Sequence, residues 1–367
     1  MSMKKNAYFS GQGDTRPSSR PELPTVDPAR FRDGRGYRAS QDLAAAVNVA
    51  LTLRIPLLLT GEPGSGKSRL ADRIAWELDL YGPWEFVIKS DTRGTDLFYN
   101  FDTVGRFHAA STPEADANAR NFITFNAMGR AILYARPKSF LTEVLKLPEH
   151  LEVVREHPGQ PDRPSVVLID EIDKAPRDVP NDILTEIEGM RFRIPELEAA
   201  QGGDVDVALS GNDHHLRPII IITSNSEKAL PDAFVRRCAY FNVKSPPFRQ
   251  DNPQPGETSV EDIIATRLGK RFIRDGKPTT LGEDAIAFFR HLRRSDAVPL
   301  ERRPSMAEFI DWLRLILPEE GGGVSQRLAD LDRNKLLNDI RAILLKEPGA
   351  QEKAKEIFED WEKSTRG

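Results

Sequence analysis

An α/β fold, a parallel sheet flanked by helices and followed by a smaller C-terminal helical domain, is what this 367-residue chain predicts. Three apolar runs carry the prediction, at 55–60, 166–169 and 218–222, and each breaks off into glycine, acidic or small polar residues. Consecutive apolar positions mark strands buried on both faces, as in a parallel sheet. Ligands of open α/β sheets bind at the carboxyl ends of such strands.

The first run, IPLLLT, passes directly into GEPGSGKS at 61–68. This is the G-x-x-x-x-G-K-S pattern of a P-loop. Gly61, Gly64 and Gly66 permit conformations and close approaches that a Cβ blocks. Backbone N–H groups then cradle phosphate oxygens, backed by the positive end of the next helix. Lys67 reaches the β- and γ-phosphates, and the Ser68 hydroxyl takes Mg²⁺. The expected nucleotide-binding set is Gly61, Glu62, Pro63, Gly64, Ser65, Gly66, Lys67, Ser68, Arg69 and Asp170. Leu70, Ile74 and Leu78 recur at the spacing of the helix that must follow.

The second run, VVLI, ends in Asp170 and Glu171. Asp170 is expected to hold Mg²⁺ through water, and Glu171 to act as general base on the attacking water. Asp173 reads as an exposed acid at a helix start. The third run ends in Thr223-Ser224-Asn225, with Asn225 placed to orient the water or touch the γ-phosphate. Arg236 and Arg237 then close a short helical stretch. Such residues either stabilise phosphoryl-transfer charge or satisfy a helix C-terminus, and the residues alone leave both open.

In this order the parts resemble the AAA+ ATPases, and among them the MoxR-like group with relatives encoded beside von Willebrand factor A (vWA) domain proteins. The resemblance rests on GEPGSGKS, VVLIDEIDKA from Val166, VPNDILTEIEGMRFRIPEL from Val179, IIIITSN from Ile219 and LPDAFVRRC from Leu230, within about residues 37–312. It implies ATP with Mg²⁺ at subunit boundaries of a homo-oligomeric, hexameric ring. It also implies Arg236 or Arg237 as an arginine finger acting in trans. It further implies a helix-2 insertion at about 93–130 and a pre-sensor-1 hairpin at about 191–218, both near a pore. The sensor-2 arginine of that group has only weak counterparts here, Arg302 and Arg303. The implied function is chaperone-like remodelling of a protein client, with a vWA-domain protein as separate partner. Two other readings stand beside it: a nucleotide-gated scaffold or switch, and a nucleic-acid-linked NTPase.

Composition narrows the field. The chain is 39% hydrophobic and 29% charged, as globular proteins are, with no apolar run of membrane-spanning length. No signal-peptide pattern opens it, and a cytoplasmic location is expected. A formal charge of −4 argues against a broad nucleic-acid surface. The single cysteine, Cys238, excludes an intrachain disulfide and reads as a small filler beside the arginines.

The expected organisation is a flexible arm at 1–35, an ATPase core at 36–247, a helical lid at 248–345 and a C-terminal helix or tail at 346–367. Within it, strands are expected at 86–90 and 240–243. Hairpin strands are expected near 191–194 and 205–209. Helices are expected at 42–53, 263–272, 283–292, 306–316, 324–345 and 351–362.

Overall fold

The computed structural model describes residues 33–112, 116–197, 205–225, 228–274, 277–294, 298, 300–318 and 326–366. The expected arm lies outside these residues up to position 32. Gly34–Gly36 is a short turn packed on the helix after the P-loop.

Five strands form the central sheet: β1 (Leu57–Gly61), β2 (Tyr81–Val87), β5 (Ser165–Asp170), β8 (Ile219–Thr223) and β9 (Ala239–Val243). Their order is β2-β5-β8-β1-β9, and every pairing is parallel. Side chains alternate between the two faces, so each run feeds two cores. Leu57, Leu59, Val166, Leu168 and Ile221 pack on one face with Leu70 and Ile74 of α2 (Arg69–Glu77), beside α1 (Gln41–Leu53). Leu58, Val167, Ile169, Ile220 and Ile222 face the other core. That core includes Met128, Ala131 and Ile132 of a helix at Ala127–Tyr134, and Ile183, Leu184 and Ile187 of a helix at Val179–Gly189.

One strand departs from expectation. It was expected at 86–90 but runs Tyr81–Val87. Gly82 and Pro83 read as turn residues. An edge strand has one unpaired side, so it can hold a proline that lacks an N–H donor.

Between β2 and β5 lies an antiparallel pair, β3 (Tyr99–Phe101) with β4 (Ile123–Phe125), which brackets α3 (Thr103–Ala110). This is the region expected as an insertion. Val104 and Phe107 on α3 are 67% and 71% exposed. A second pair, β6 (Arg191–Arg193) with β7 (Asp206–Ala208), sets Phe192 against Val207. Part of the expected hairpin, 198–204, lies outside the described residues.

A separate apolar cluster begins at Phe248. It is built by helices at Val260–Leu268, Thr280–Arg294, Met306–Ile316, Arg333–Ile343 and Ala354–Arg366. Ser259 with Asp262, and Ser305 with Glu308, form capping boxes that fix two of the helix starts. The helix expected at 263–272 therefore begins and ends earlier. Where one helix was expected at 324–345, a short turn at Leu328–Asp330 precedes the helix, whose N-cap is Asp332. The C-terminal segment is split into Pro348–Glu352 and Ala354–Arg366, and Ile357, Phe358 and Trp361 are buried in this same cluster. Phe289 and Phe309 stack at its centre, with centroids 4.0 Å apart and planes 1° from parallel.

Candidate functional site

β1 ends at Gly61, whose φ is +138° and whose Cβ, if present, would lie 2.3 Å from the Val243 carbonyl oxygen. Only glycine lets the chain turn away from β9 there. The loop then folds back around Lys67, which is 5% exposed. The Lys67 ammonium donates to the carbonyls of Gly61 at 2.8 Å and Glu62 at 3.0 Å, and to Asn225 Oδ1 at 2.9 Å. Burial lowers its pKa, while Asp170, Asp173, Glu171 and Glu62 pull the other way. Ser65 Oγ is buried without a hydrogen-bond partner among the described residues.

Ser68 donates its hydroxyl to Asp170 Oδ1 at 2.8 Å, and Thr223 donates to the same oxygen. A hydroxyl and a carboxylate beside a phosphate cradle suit Mg²⁺, which takes few protein oxygens and completes its shell with water and substrate phosphates. No cluster of three or more His, Cys, Asp or Glu suited to a metal occurs among the described residues, so an all-protein metal cage is not what the site offers.

Glu171 adopts φ +60°, a left-handed conformation uncommon for a residue with a Cβ. Its N–H donates to Thr223 Oγ1 at 3.0 Å. Its carboxylate lies between Asn225 Nδ2 at 3.4 Å and Lys174 Nζ at 2.6 Å. Asp173, expected to be exposed, is 3% exposed and accepts from the Asn225 backbone N–H at 3.2 Å. Its position after the turn at Glu171 carries it inward. Lys67, Asn225 and Glu171 thus form one hydrogen-bonded line across the ends of β1, β8 and β5.

Three expected residues bond elsewhere. The Arg69 guanidinium pairs with Asp72 at 3.2 Å, one turn along α2, and the Arg69 backbone N–H donates to the Gly66 carbonyl. Among the described residues neither Arg302 nor Arg303 hydrogen-bonds the loop: the Arg302 backbone N–H donates to Glu347, and Arg303 donates to the Arg293 carbonyl, from where its charge acts on Glu62. Arg293, which the sequence reading passed over, reaches the loop. It donates to Glu62 Oε2 at 2.9 Å and Ser245 Oγ at 2.8 Å, and to the Pro304 carbonyl at 2.7 Å. Its hydrogen bond holds the Glu62 carboxyl below the usual range, helped by Ser245 and opposed by burial. The signal was the Arg293-Arg294 pair at the end of an amphipathic helix, which carries no mark of where that end points. A small pocket between loop and helices is lined by Glu62, Pro63, Ser65, Phe289, Arg293 and Ser305.

Arg236 and Arg237 lie at the opposite, N-terminal end of the strands. They precede β9, whose first residue bonds the Pro56 carbonyl just before β1. From Leu57 to Gly61 is about 13 Å at about 3.3 Å per residue. Arg237 pairs with Glu188 at 3.1 Å. Arg236 is exposed and has no ion pair among the described residues. Cys238 is half-buried, donates to the Phe234 carbonyl, and has its thiol pushed up to about 12 by burial.

Residues 56–238 match the family model for the AAA domain of the dynein-related subfamily. No curated protein matches the chain. Similar solved structures include NtrX from Brucella abortus in complex with ADP, 15% identical, covering 93% of this chain and 62% of that one, with a TM-score of 0.39. The ATP complex of the same protein is 15% identical over 94% and 62%, with a TM-score of 0.38. The Thermotoga maritima RuvB Holliday junction branch migration motor is 14% identical over 82% and 67%, with a TM-score of 0.35. The chain thus spans less than two thirds of the NtrX chains. No helix among the described residues is long and apolar enough to cross a membrane. Residues 56–238 thus match an AAA domain of the dynein-related subfamily, and the architecture is a P-loop AAA+ fold, a parallel five-stranded sheet flanked by helices, with a helical C-terminal region.

Proposed function

We propose that this chain is a Mg²⁺-dependent ATPase that works as a ring of identical subunits, hexameric as in the MoxR-like group, and remodels a protein client. The observation that carries the reading is the line Lys67–Asn225–Glu171 beside the Ser68–Asp170 pair. Lys67 and the loop N–H groups hold the phosphates. Ser68 and Asp170 would hold Mg²⁺, the latter through water, and the ion when bound neutralises phosphate charge. Glu171 accepts the proton of the attacking water, and Asn225 orients it. Arg293 reaches the terminal phosphate from the helical side and takes the sensor-2 role expected of Arg302 or Arg303.

The polarity of the sheet supports an arginine acting in trans. Arg236 and Arg237 stand at the end of the strands opposite their own P-loop, so a neighbour's phosphates are the ones within reach. Arg236 is the better finger, because Arg237 is engaged by Glu188. A contact between one end and its opposite is heterologous and closes into a ring when the rotation permits. The exposed Val104 and Phe107 offer an apolar contact to a client, with a vWA-domain protein as partner.

One observation favours a second reading, the nucleotide-gated switch. Lys174 occupies one Glu171 carboxylate oxygen at 2.6 Å, which holds the base away from water. Both are tested by ATPase rate across protein concentration, with mass by light scattering, for wild type and Glu171→Gln. The motor reading expects specific activity that rises as the ring forms, and a variant that assembles with ATP without turnover. ATP-driven assembly with negligible turnover in the wild type would favour the switch. Concentration-independent activity from a monomer would refute the trans arginine.

A further inference from the structure

Glu62 sits within the P-loop, and its backbone is committed there by the Lys67 ammonium on its carbonyl. Its carboxylate points the other way, toward the helical cluster. Arg293 Nη2 meets it at 2.9 Å, and Ser245 donates to the same oxygen at 2.8 Å. The two partners differ in freedom. The Arg293 side chain is 14% exposed, bonded to the Pro304 carbonyl and set 5.8 Å from the Phe289 ring centroid. The Glu62 side chain is 62% exposed. The guanidinium is therefore fixed in direction while the carboxylate can swing into water. A guanidinium fork donates to carboxylate and phosphate oxygens with similar geometry.

We propose that Glu62 is a positioning residue that holds Arg293 over the P-loop and yields it to the terminal phosphate of a nucleoside triphosphate. The preference of the site for triphosphate over diphosphate then follows from exchange between two anions on one arginine. The inference rests on the nucleotide reading of the site and deepens it. Ser245, bonded to both partners, keeps the arginine in place while the exchange occurs. A diphosphate lacks the group that competes with Glu62, so it leaves the Arg293–Glu62 pair closed.

The test is a double-mutant cycle on the full chain. Calorimetry would give affinities for ADP and a non-hydrolysable ATP analogue in wild type, Glu62→Gln, Arg293→Gln and the double variant. Glu62→Gln is expected to tighten the triphosphate analogue about fivefold, the scale of a partly exposed ion pair, and to leave ADP within about twofold. In the Arg293→Gln background the same change should leave the triphosphate-to-diphosphate ratio unaltered. Equal gain for both nucleotides, or a gain that persists without Arg293, would show plain charge repulsion and overturn the exchange. If Arg293→Gln alone leaves the ratio untouched, the arginine does not meet the terminal phosphate and the exchange falls, while the nucleotide site stands. Undiminished affinity in Lys67→Ala would instead overturn the nucleotide site itself. Arg293→Lys, which keeps the charge and loses the fork, should give an intermediate ratio if Arg293→Gln folds poorly.

Discussion

Arg236→Ala and Lys67→Ala are expected to be inactive alone and active together. The reason lies in the sheet. Arg236 precedes β9, Gly61 ends β1, and the two strands are neighbours that run in parallel. About 13 Å of strand separates the two ends at about 3.3 Å per residue, so one chain cannot bring its own Arg236 to its own phosphates without unfolding the sheet. A complete site needs a P-loop from one copy and an arginine from another. In a mixture, that requires an Arg236→Ala chain on the nucleotide side and a Lys67→Ala chain on the arginine side. Random assembly at equal proportions places that arrangement at about one quarter of heterologous contacts. Turnover should therefore recover to about a quarter of wild type, and should follow the product of the two mole fractions. Arg236→Ala alone should lose about a thousandfold, the low end of what an arginine finger contributes, and Lys67→Ala alone should lose nucleotide binding. The assay is steady-state phosphate release against mixing ratio, with light scattering to verify mixed assemblies. Zero recovery in verified mixed assemblies, or near-wild-type turnover by Arg236→Ala alone, would refute the reasoning.

Lys174→Met should raise kcat about threefold at unchanged nucleotide affinity, because it frees the Glu171 carboxylate from a partly exposed ion pair; a fall in kcat would show that the pair positions the base. Gly64→Ala should destabilise the protein by about 1–2 kcal/mol through its left-handed backbone, where φ is +74°. The new Cβ would also sit 2.7 Å from Ser305 Cβ, so nucleotide affinity should fall as well, and Ser305→Gly should restore part of the stability and not all of it, as read by urea unfolding. Burial lowers the Lys67 pKa, so its ammonium is lost at a lower pH than that of a free lysine. The cation binds phosphate and the neutral amine does not; kcat/KM should therefore fall as pH rises, and begin to fall below the ordinary lysine value of about 10.4. A profile flat to that value would count against it.

The strands of the central sheet were legible because burial on both faces leaves a continuous apolar record. Leu57 to Leu59 and Ile219 to Ile222 need no context to be read. The phosphate loop was legible because close approach to a polyanion admits few residue types. Other features were set by distant partners. Arg293 becomes part of the site only because the helix at Thr280–Arg294 ends beside Glu62, 231 positions earlier in the chain. Thr223 looked like a strand end, yet it ties Asp170 to the Glu171 backbone. Asp173 reads as a solvated acid until the left-handed turn at Glu171 directs it inward. The β2 strand was misplaced because Gly82 and Pro83 speak locally for a turn, while their edge position removes the objection.

The helical region touches the phosphate loop through two neighbouring points, Arg293 on Glu62 and Ser305 against Gly64. Both are carried by helices that the Phe289–Phe309 stack locks face to face. Those helices therefore turn as one lever. Arg293 lies near one end of a 15-residue helix. The far end of that helix is about 20 Å away, so a tilt of about 6° at the loop displaces it by about 2 Å. Any tilt at the loop would thereby be enlarged before it reaches the far end of the helix. The size of the movement is set by helix length, and its direction by where the aromatic stack sits.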